Sequence, residues 1–343
     1  MTTQYLRNIS LTVTDASGNG LDFRNFHCKF SVRRGDRSTP NSLDARIFNL
    51  KASTAKQIGA REYTRISLSV GYQGLPIPAT PPPPQLIFDG TIKQFRNGRL
   101  NQTETYVDIT AADGDEAYNW APVIYSVPAG SNQNAVLQRI LAGMRAVSEL
   151  TSAPPAQEVT LGYVPPLSEN GLIRGKVLYG MARNAARQFA DTNGLKWSFQ
   201  DGQLTMIPVT SYVPTASIPV IGVSTGLIGV PELTQQGLML KTLMNPAIKI
   251  GQLIQLDTND VNRFRASLDW QAQPQTLAQA QTLTTNAQGL YYVMSADHEG
   301  DTRGNEWYTT LTCLSVDASL AGLTSITSAV APENTIQYYG QGP

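Results

Sequence analysis

The sequence of 343 residues predicts a mainly β protein of α+β type, in which two related β domains flank a small α/β region. Two observations carry that prediction. First, the chain says the same thing near each end. Ile87 to Phe95 runs into the polar stretch Arg96 to Gln102 and leaves through Thr105 to Ala112, while Tyr291 to Ala296 meets Asp297 to Asn305 and leaves through Trp307 to Leu314. Each reads as two alternating strands joined by a long polar connection, because apolar residues recur at every second position and Gly and Asn occupy the turn. Second, the order upstream of each hairpin repeats. Ala45 to Leu50 is followed by Ile66 to Val70, and Leu238 to Pro246 is followed by Gln252 to Leu256.

Taken in order, residues 1–115 read as strands throughout: Tyr5 to Thr14, a turn at Ser17-Gly18-Asn19-Gly20, Phe26 to Arg33, and the pieces named above. Thr54 to Ile58 fits one helical turn between strands. Leu75 to Pro84 is an extended proline-rich connector, since proline lacks the donor that a ladder requires.

The character changes over 116–216. Asn134 to Ala142 is helical, started by a polar Ser131-Asn132 cap. A second helix is expected over about Lys176 to Thr192, with Val177, Met181, Ala185 and Phe189 on one stripe and Asn193-Gly194 as a left-handed stop. Leu195 to Gln200 and Gln203 to Ile207 flank Asp201-Gly202, the strongest hairpin signal in the chain. The second β region spans 217–320; within it Asp269 to Ala287 fits either one amphipathic helix or a mobile loop. Residues 321–343 read as a C-terminal tail that orders only against a partner.

Composition narrows the function classes. With 26 basic and 26 acidic residues, nothing global points to nucleic acid or to an anionic membrane. Charged residues make up only 15% of the chain, against a typical quarter, so uncharged polar surface is available for large protein contacts. No apolar run approaches the roughly 20 residues of a membrane span. The start Met1 to Tyr5 lacks a leader pattern, which implies synthesis in the cytoplasm. Cys28 and Cys313 then read as reduced core thiols.

Residues able to do chemistry are few. His27 lies beside Cys28 between Phe26 and Phe30, where a core or edge role is expected. The densest polar cluster is Asp297, His298, Glu299 and Asp301; it is read as a solvated hairpin tip, because on a strand neighbouring side chains point to opposite faces. Asp113-Gly114-Asp115-Glu116 lacks the spacing of a calcium loop and is read as the turn leaving the first domain. No nucleophile elbow, zinc signature, phosphate loop or Cys-x-x-Cys pair occurs. The sequence therefore predicts no enzyme: no catalytic, cofactor-binding or metal residue is assigned, and no cofactor. A glycan hydrolase acting through paired carboxylates, or a glycan-binding protein, stays open as the alternative, since such pairs have no fixed spacing.

The pattern resembles the baseplate hub proteins of contractile-tailed bacteriophages, the family related to the N-terminal region of VgrG spike proteins. The resemblance rests on Leu43 to Leu50 with Thr54-Ala55 behind it, on the helix-to-hairpin passage from Ala186 through Trp197 to Ile207, on Leu243 to Gly251, and on the Asp297 to Trp307 hairpin. It implies two tail-tube-like β-barrel domains, at 1–115 and 217–320, and a homotrimeric symmetry adaptor that meets a hexameric tail tube on one side and a central spike on the other. It also implies contacts with the tape measure protein and other baseplate proteins, a place in the virion tail after assembly in the host cytoplasm, no sequence-specific nucleic acid and no membrane insertion. A distal tail or tube protein is the nearer alternative, although one barrel usually suffices there.

Overall fold

The computed structural model describes residues 4, 6–15, 17–60, 62–74, 82–146, 158–234, 237–257, 289–317 and 325–326. The chain divides into two compact units, Met1–Pro208 with His298–Trp307, and Val209–Asp297 with Tyr308–Pro343. The expected helix or loop at Asp269 to Ala287, the connector at Leu75 to Pro81 and nearly all of the C-terminal tail lie outside the described residues.

In the first unit, strands β1 (Arg7–Thr14), β2 (Gly20–Asp22), β3 (Cys28–Gly35) and β4 (Ser42–Phe48) precede helix α1 (Ala52–Gly59). Strands β5 (Arg65–Tyr72), β6 (Gln85–Arg99) and β7 (Thr105–Ala112) follow. Alternation builds the core directly. Leu11 and Val13, Phe30 and Val32, Leu43 and Ile47, Ile66 and Leu68, and Val107 and Ile109 all turn to the buried face, each contributing roughly 1.5–3 kcal/mol of apolar burial. Hydrogen bonding runs in the order β3-β4-β7-β6-β5-β1-β2. Strand β6 shifts register against β7 between Ile92 and Gln94. Just before that bulge a Cβ on Gly90 would stand 2.6 Å from the Ala112 carbonyl oxygen, so only glycine admits the approach. The helical turn expected at Thr54 to Ile58 is a full helix α1, and β6 continues as strand through Arg96 to Arg99, which the sequence assigned to a polar connection. The tight turn falls instead at Asn101 to Glu104, where the Asn101 side chain accepts from the Thr103 and Glu104 N–H groups.

An α/β layer completes this unit: α2 (Asp115–Asn119), β8 (Pro122–Val127), α3 (Gln133–Arg145), β9 (Thr160–Leu161), β10 (Lys176–Met181), α4 (Ala182–Thr192), β11 (Leu195–Gln200) and β12 (Gln203–Pro208). The Asn132 side chain caps α3 by accepting from Ala135 N–H at 2.9 Å. Val136, Leu137, Ile140 and Leu141 of α3 share one core with Phe189 of α4 and with Trp197, Phe199 and Leu204 of the β11–β12 hairpin. Asp201 and Gly202 take φ of 55° and 80°, the left-handed pair that a type I′ turn requires.

The helix expected from Lys176 is corrected. Residues 176–181 form a strand paired with β8 over its whole length, and the helix begins at Ala182. Gly180 at φ 122° is incompatible with a helical turn, so the four-residue spacing of Val177 and Met181 was accidental, while Phe189 and Ala186 are the true buried stripe.

The second unit contains β13 (Val220–Ile221), a 3₁₀ turn at Val223–Thr225, β14 (Leu227–Thr234), β15 (Gly237–Leu243), β16 (Leu253–Leu256), β17 (Leu290–Asp301), β18 (Trp307–Asp317) and β19 (Ser325–Ile326). Leu238, Leu240, Ile254, Tyr291, Val293, Leu311 and Cys313 form its core. Here the order is β14-β15-β18-β17, with β16 beside β17. That is the order β3-β4-β7-β6-β5 of the first unit, element for element. One side-chain contact repeats with it. Arg46 of β4 stands opposite Asp108 and lies over the Tyr106 ring at 4.3 Å, while Lys241 of β15 stands opposite Thr310 and lies over the Tyr308 ring at 4.0 Å. In both, a cation covers the tyrosine two residues before its cross-strand partner.

After β15 the chain turns at Asn245-Pro246, where the Asn245 side chain accepts from Ala247 N–H at 3.0 Å. Replacing Pro246 with Gly should lower stability by at least about 1 kcal/mol, because it frees the unfolded chain. Denaturant unfolding of the two proteins measures the difference, and an unchanged midpoint would remove the turn's structural role.

Candidate functional site

The polar cluster near the C-terminal hairpin is built by alternation. Asp297 and Glu299 are exposed, whereas His298 and Gly300 are buried. Asp301 follows them into the interior, only 3% exposed. The sequence expectation of a solvated tip is therefore corrected. The tip His298–Trp307 lies against the first sheet, with β17 next to β3 in the strand order, and the N–H of Thr302 donates to the Cys28 carbonyl at 3.0 Å. The Cys28 N–H donates to the Thr302 hydroxyl at 2.9 Å. From the other end of the sheet, Arg7 of β1 donates through Nη1 to the carbonyls of Asp301 (2.7 Å) and Gly304 (2.6 Å), and through Nη2 to that of Asn305 at 3.2 Å. Trp307 anchors the tip: its ring meets Phe30 edge-on at 5.6 Å and lies under the Arg7 guanidinium at 5.2 Å. A Cβ on Gly300 would fall 2.2 Å from the Phe30 ring, so glycine is required where the tip crosses β3.

Asp301 is the electrostatic centre of this seat. Its Oδ1 accepts from the N–H groups of Arg303 (2.9 Å) and Gly304 (2.8 Å) and lies 2.9 Å from His27 Nε2, while Oδ2 lies 3.0 Å from Lys29 Nζ. Burial alone would raise its pKa, but the Arg303 N–H, the Lys29 ammonium, the Gly304 N–H and His27 outweigh burial and hold the carboxyl at about 2. His27 also stacks on Phe48 at 4.3 Å. A histidine oriented by a carboxylate is half of a catalytic arrangement, yet the neighbouring hydroxyl of Thr302 is committed to backbone partners at Cys28 and Phe26. The Cys28 thiol is pushed up to about 12 by burial and by Asp301, and burial raises Cys313 likewise; neither supplies a thiolate at neutral pH. The geometry holds a hairpin in place.

Asp113 plays a comparable part elsewhere in the same unit. Its carboxylate accepts from the N–H groups of Asp201 (2.7 Å) and Gly202 (2.8 Å), the turn of the β11–β12 hairpin. Around it Arg34 pairs with Asp201 at 2.9 Å and donates to the Ile87 carbonyl, and Asn41 donates to the Phe199 carbonyl. Burial pushes the Asp113 carboxyl up to about 7, against the pull of the Gly202 N–H. Asp115 is directed elsewhere, to Lys93 at 2.8 Å, so Asp113 and Asp115 do not converge on one point. The stretch 113–116 is a junction that runs directly into helix α2, whose first two residues are Asp115 and Glu116, where the sequence suggested a simple turn.

Beside the hairpin tip an open cleft of about 430 Å³ is lined by Lys29, Arg46, Arg96, Asp108, Glu299 and Glu306 among others. Arg46 and Asp108 close on each other in a bidentate pair, at 2.6 and 2.8 Å. Among the described residues no group of His, Cys, Asp and Glu is arranged to hold a metal ion. Sequence reasoning singled out His27, Asp301 and Asp113 but not Arg7, Phe30 or Trp307, whose partners lie up to 297 residues away; no local signal reports such pairings.

Two opposite pH signatures follow. A carboxyl held below its unfolded pKa favours the folded state above about pH 4, and that contribution disappears as pH falls through about 2. Asp301 should thus cost about 2 kcal/mol over that window, measured as the stability difference between the parent and Asp301→Asn. Asp113, raised to about 7, contributes most below about pH 4 and loses its contribution as pH rises through 7. The advantage of Asp113→Asn over the parent should accordingly grow between pH 5 and 8; a flat difference would contradict the buried carboxylate. Trp307→Ala should cost about 3–5 kcal/mol in urea unfolding, a loss that an exposed tip would not show.

No family model matches the chain, and no curated protein matches it in sequence. Solved structures do match. The 43 kDa tail protein of prophage MuSo2 from Shewanella oneidensis superposes at a TM-score of 0.53 with 8% identity, over 90% of this chain and 98% of its own. A tail protein from Neisseria meningitidis MC58 gives 0.52 with 10% identity, over 90% and 96%. The resemblance drawn from the sequence and the superpositions agree: this chain is mainly β and has the fold of bacteriophage tail proteins.

Proposed function

We propose that this protein is the structural baseplate hub of a contractile phage tail, a homotrimeric adaptor that joins a hexameric tail tube to a central spike. The observation that carries the proposal is the repeated strand order, β3-β4-β7-β6-β5 and β14-β15-β18-β17-β16, with its repeated cation–tyrosine contact. Three chains with two similar sheets each present six similar elements, which a six-fold partner demands, while the chains themselves remain related by three-fold symmetry. In this reading residues 1–115 and 217–320 are tube-like barrels, 116–216 is a smaller α/β domain between them, and 321–343 is a tail. The tape measure protein and other baseplate proteins are its further partners. It sits in the virion tail, having been assembled in the host cytoplasm, and it works by burying surface without catalysis.

Light scattering of the purified protein should give three times the chain mass of 37.2 kDa, and cryo-EM of the intact particle should find three copies in one axial ring. Six copies per ring would turn the assignment to a tube or distal tail protein. Cleavage of peptidoglycan by the purified chain, lost on replacing Asp297, His298, Glu299 and Asp301 together with Ala, would turn it to a glycan hydrolase.

A further inference from the structure

The β8–β10 ribbon is covered on one face only. Val123, Val127 and Leu178 turn inward to the core of α3 and α4, while Ile124 and Tyr179, directly opposite each other across the ribbon, turn outward with Val177. Trp120 precedes β8 and Ile173 precedes β10. These five side chains are between 69% and 95% exposed. With two aromatics of about 150–250 Å² each, the five side chains together expose roughly 500 Å² of apolar area, spread along the ribbon from Trp120 beyond one end to Ile173 beyond the other. A standard interface takes about 800 Å² per partner, of which about 60% is apolar, so an interface of ordinary size would be needed to cover them all.

We propose that the β8–β10 ribbon is the surface through which copies of this chain bind one another. Three features favour a second copy as the occupant. The outward positions 124, 126, 177 and 179 are Ile, Ser, Val and Tyr, so the ribbon brings no charge of its own against a neighbouring copy. The ribbon is a sheet of two strands alone among the described residues, so neither its β8 edge nor its β10 edge pairs with a further described strand. An open strand edge is a template for another strand, and joining the β8 edge of one copy to the β10 edge of the next is a head-to-tail contact that closes a ring when its rotation permits. The inference rests on the proposed reading for its expectation of several copies in a ring.

The test uses the full chain with Ile124→Asp, Ile124→Lys and Tyr179→Lys. Because both positions are exposed, each variant should melt as the parent does. Sedimentation at about 10 µM should find the parent as a multimer and each variant at the single-chain mass. The amides of 122–127 and 176–181 that do not pair within the ribbon should gain protection from hydrogen exchange in the multimer. Variants that keep the parent's mass, or a parent that is itself monomeric, would each overturn the ribbon contact. The two readings fail separately. A trimer indifferent to all three substitutions would leave the ring and remove the ribbon, whereas a ribbon-dependent dimer would leave the ribbon and remove the three-fold ring.

Discussion

The first sheet depends on a piece of chain that arrives last. Strands β1 and β3 stand toward opposite ends of the ladder that runs through β4, β7, β6 and β5, and an open sheet leaves rows of unpaired N–H and C=O groups at such places. The hairpin tip answers this at β3, which receives strand pairing and the Thr302 bonds, while Arg7 of β1 ties the tip down by turning its guanidinium onto three tip carbonyls. Trp307, 2% exposed, supplies the apolar part, and Asp301 gathers the polar part by accepting from two backbone N–H groups. Removal of either would leave the other's partners desolvated without compensation, which is the costly way to break a buried contact. Since Arg7 and Asp301 are separated by 294 residues, closing the loop between them carries an entropic cost that local strands avoid. Contacts across so long a separation in sequence are expected to form after the local strand pairs.

Asp301 and Asp113 show how the same residue type is tuned in opposite directions. Both are buried and both accept two backbone N–H bonds. Asp301 adds a lysine ammonium and a histidine, and its carboxyl is held low; Asp113 has Arg34 shared with the nearby Asp201 carboxylate, and desolvation prevails. The difference lies in how strongly desolvation acts on each group and in the charges that face it, the Asp201 carboxylate at Asp113 and a lysine and histidine at Asp301. Both carboxylates pin a turn, at Arg303-Gly304 and at Asp201-Gly202. The polar residues that look most like chemistry are thus committed to holding hairpins.

How much of this was legible in the sequence follows from the range of each signal. Period-two alternation gave β5, β7 and β16 nearly to their ends and overlapped β4 and β15, and the Asp201-Gly202 and Asn193-Gly194 pairs marked their turn and helix stop because left-handed φ is a local property. The polar ends of β6 and β17 were misread as loops. Arg96 to Arg99 and Asp297 to Asp301 lack alternating apolar residues, and their strand state is imposed by pairing with β7 and β3. Helix α4 was extended backward over β10 because Val177 and Met181 fit a four-residue spacing, while the pairing with β8 that decides the matter is a contact some 50 residues away in the chain. The Trp307 seat was illegible for the same reason, since its residues come from β1, β3 and the far hairpin.

The two sheets share a frame but not a surface. Their strand orders agree, and in each a cation lies over the equivalent tyrosine, yet Arg46 faces Asp108 in the first where Lys241 faces Thr310 in the second. At this one position the first sheet carries an ion pair and the second, among the described residues, a lysine without one. For a chain that serves as an adaptor, as proposed, this division has a physical use. A partner with six equal subunits needs contacts that both sheets offer alike, which restricts it to the shared frame of strand edges and backbone groups. A partner with three-fold symmetry is free to read the side chains by which the sheets differ. Backbone contacts tolerate divergence in sequence, whereas side-chain contacts do not, and the sparse identity between the two halves is the pattern expected when the frame alone must stay equivalent.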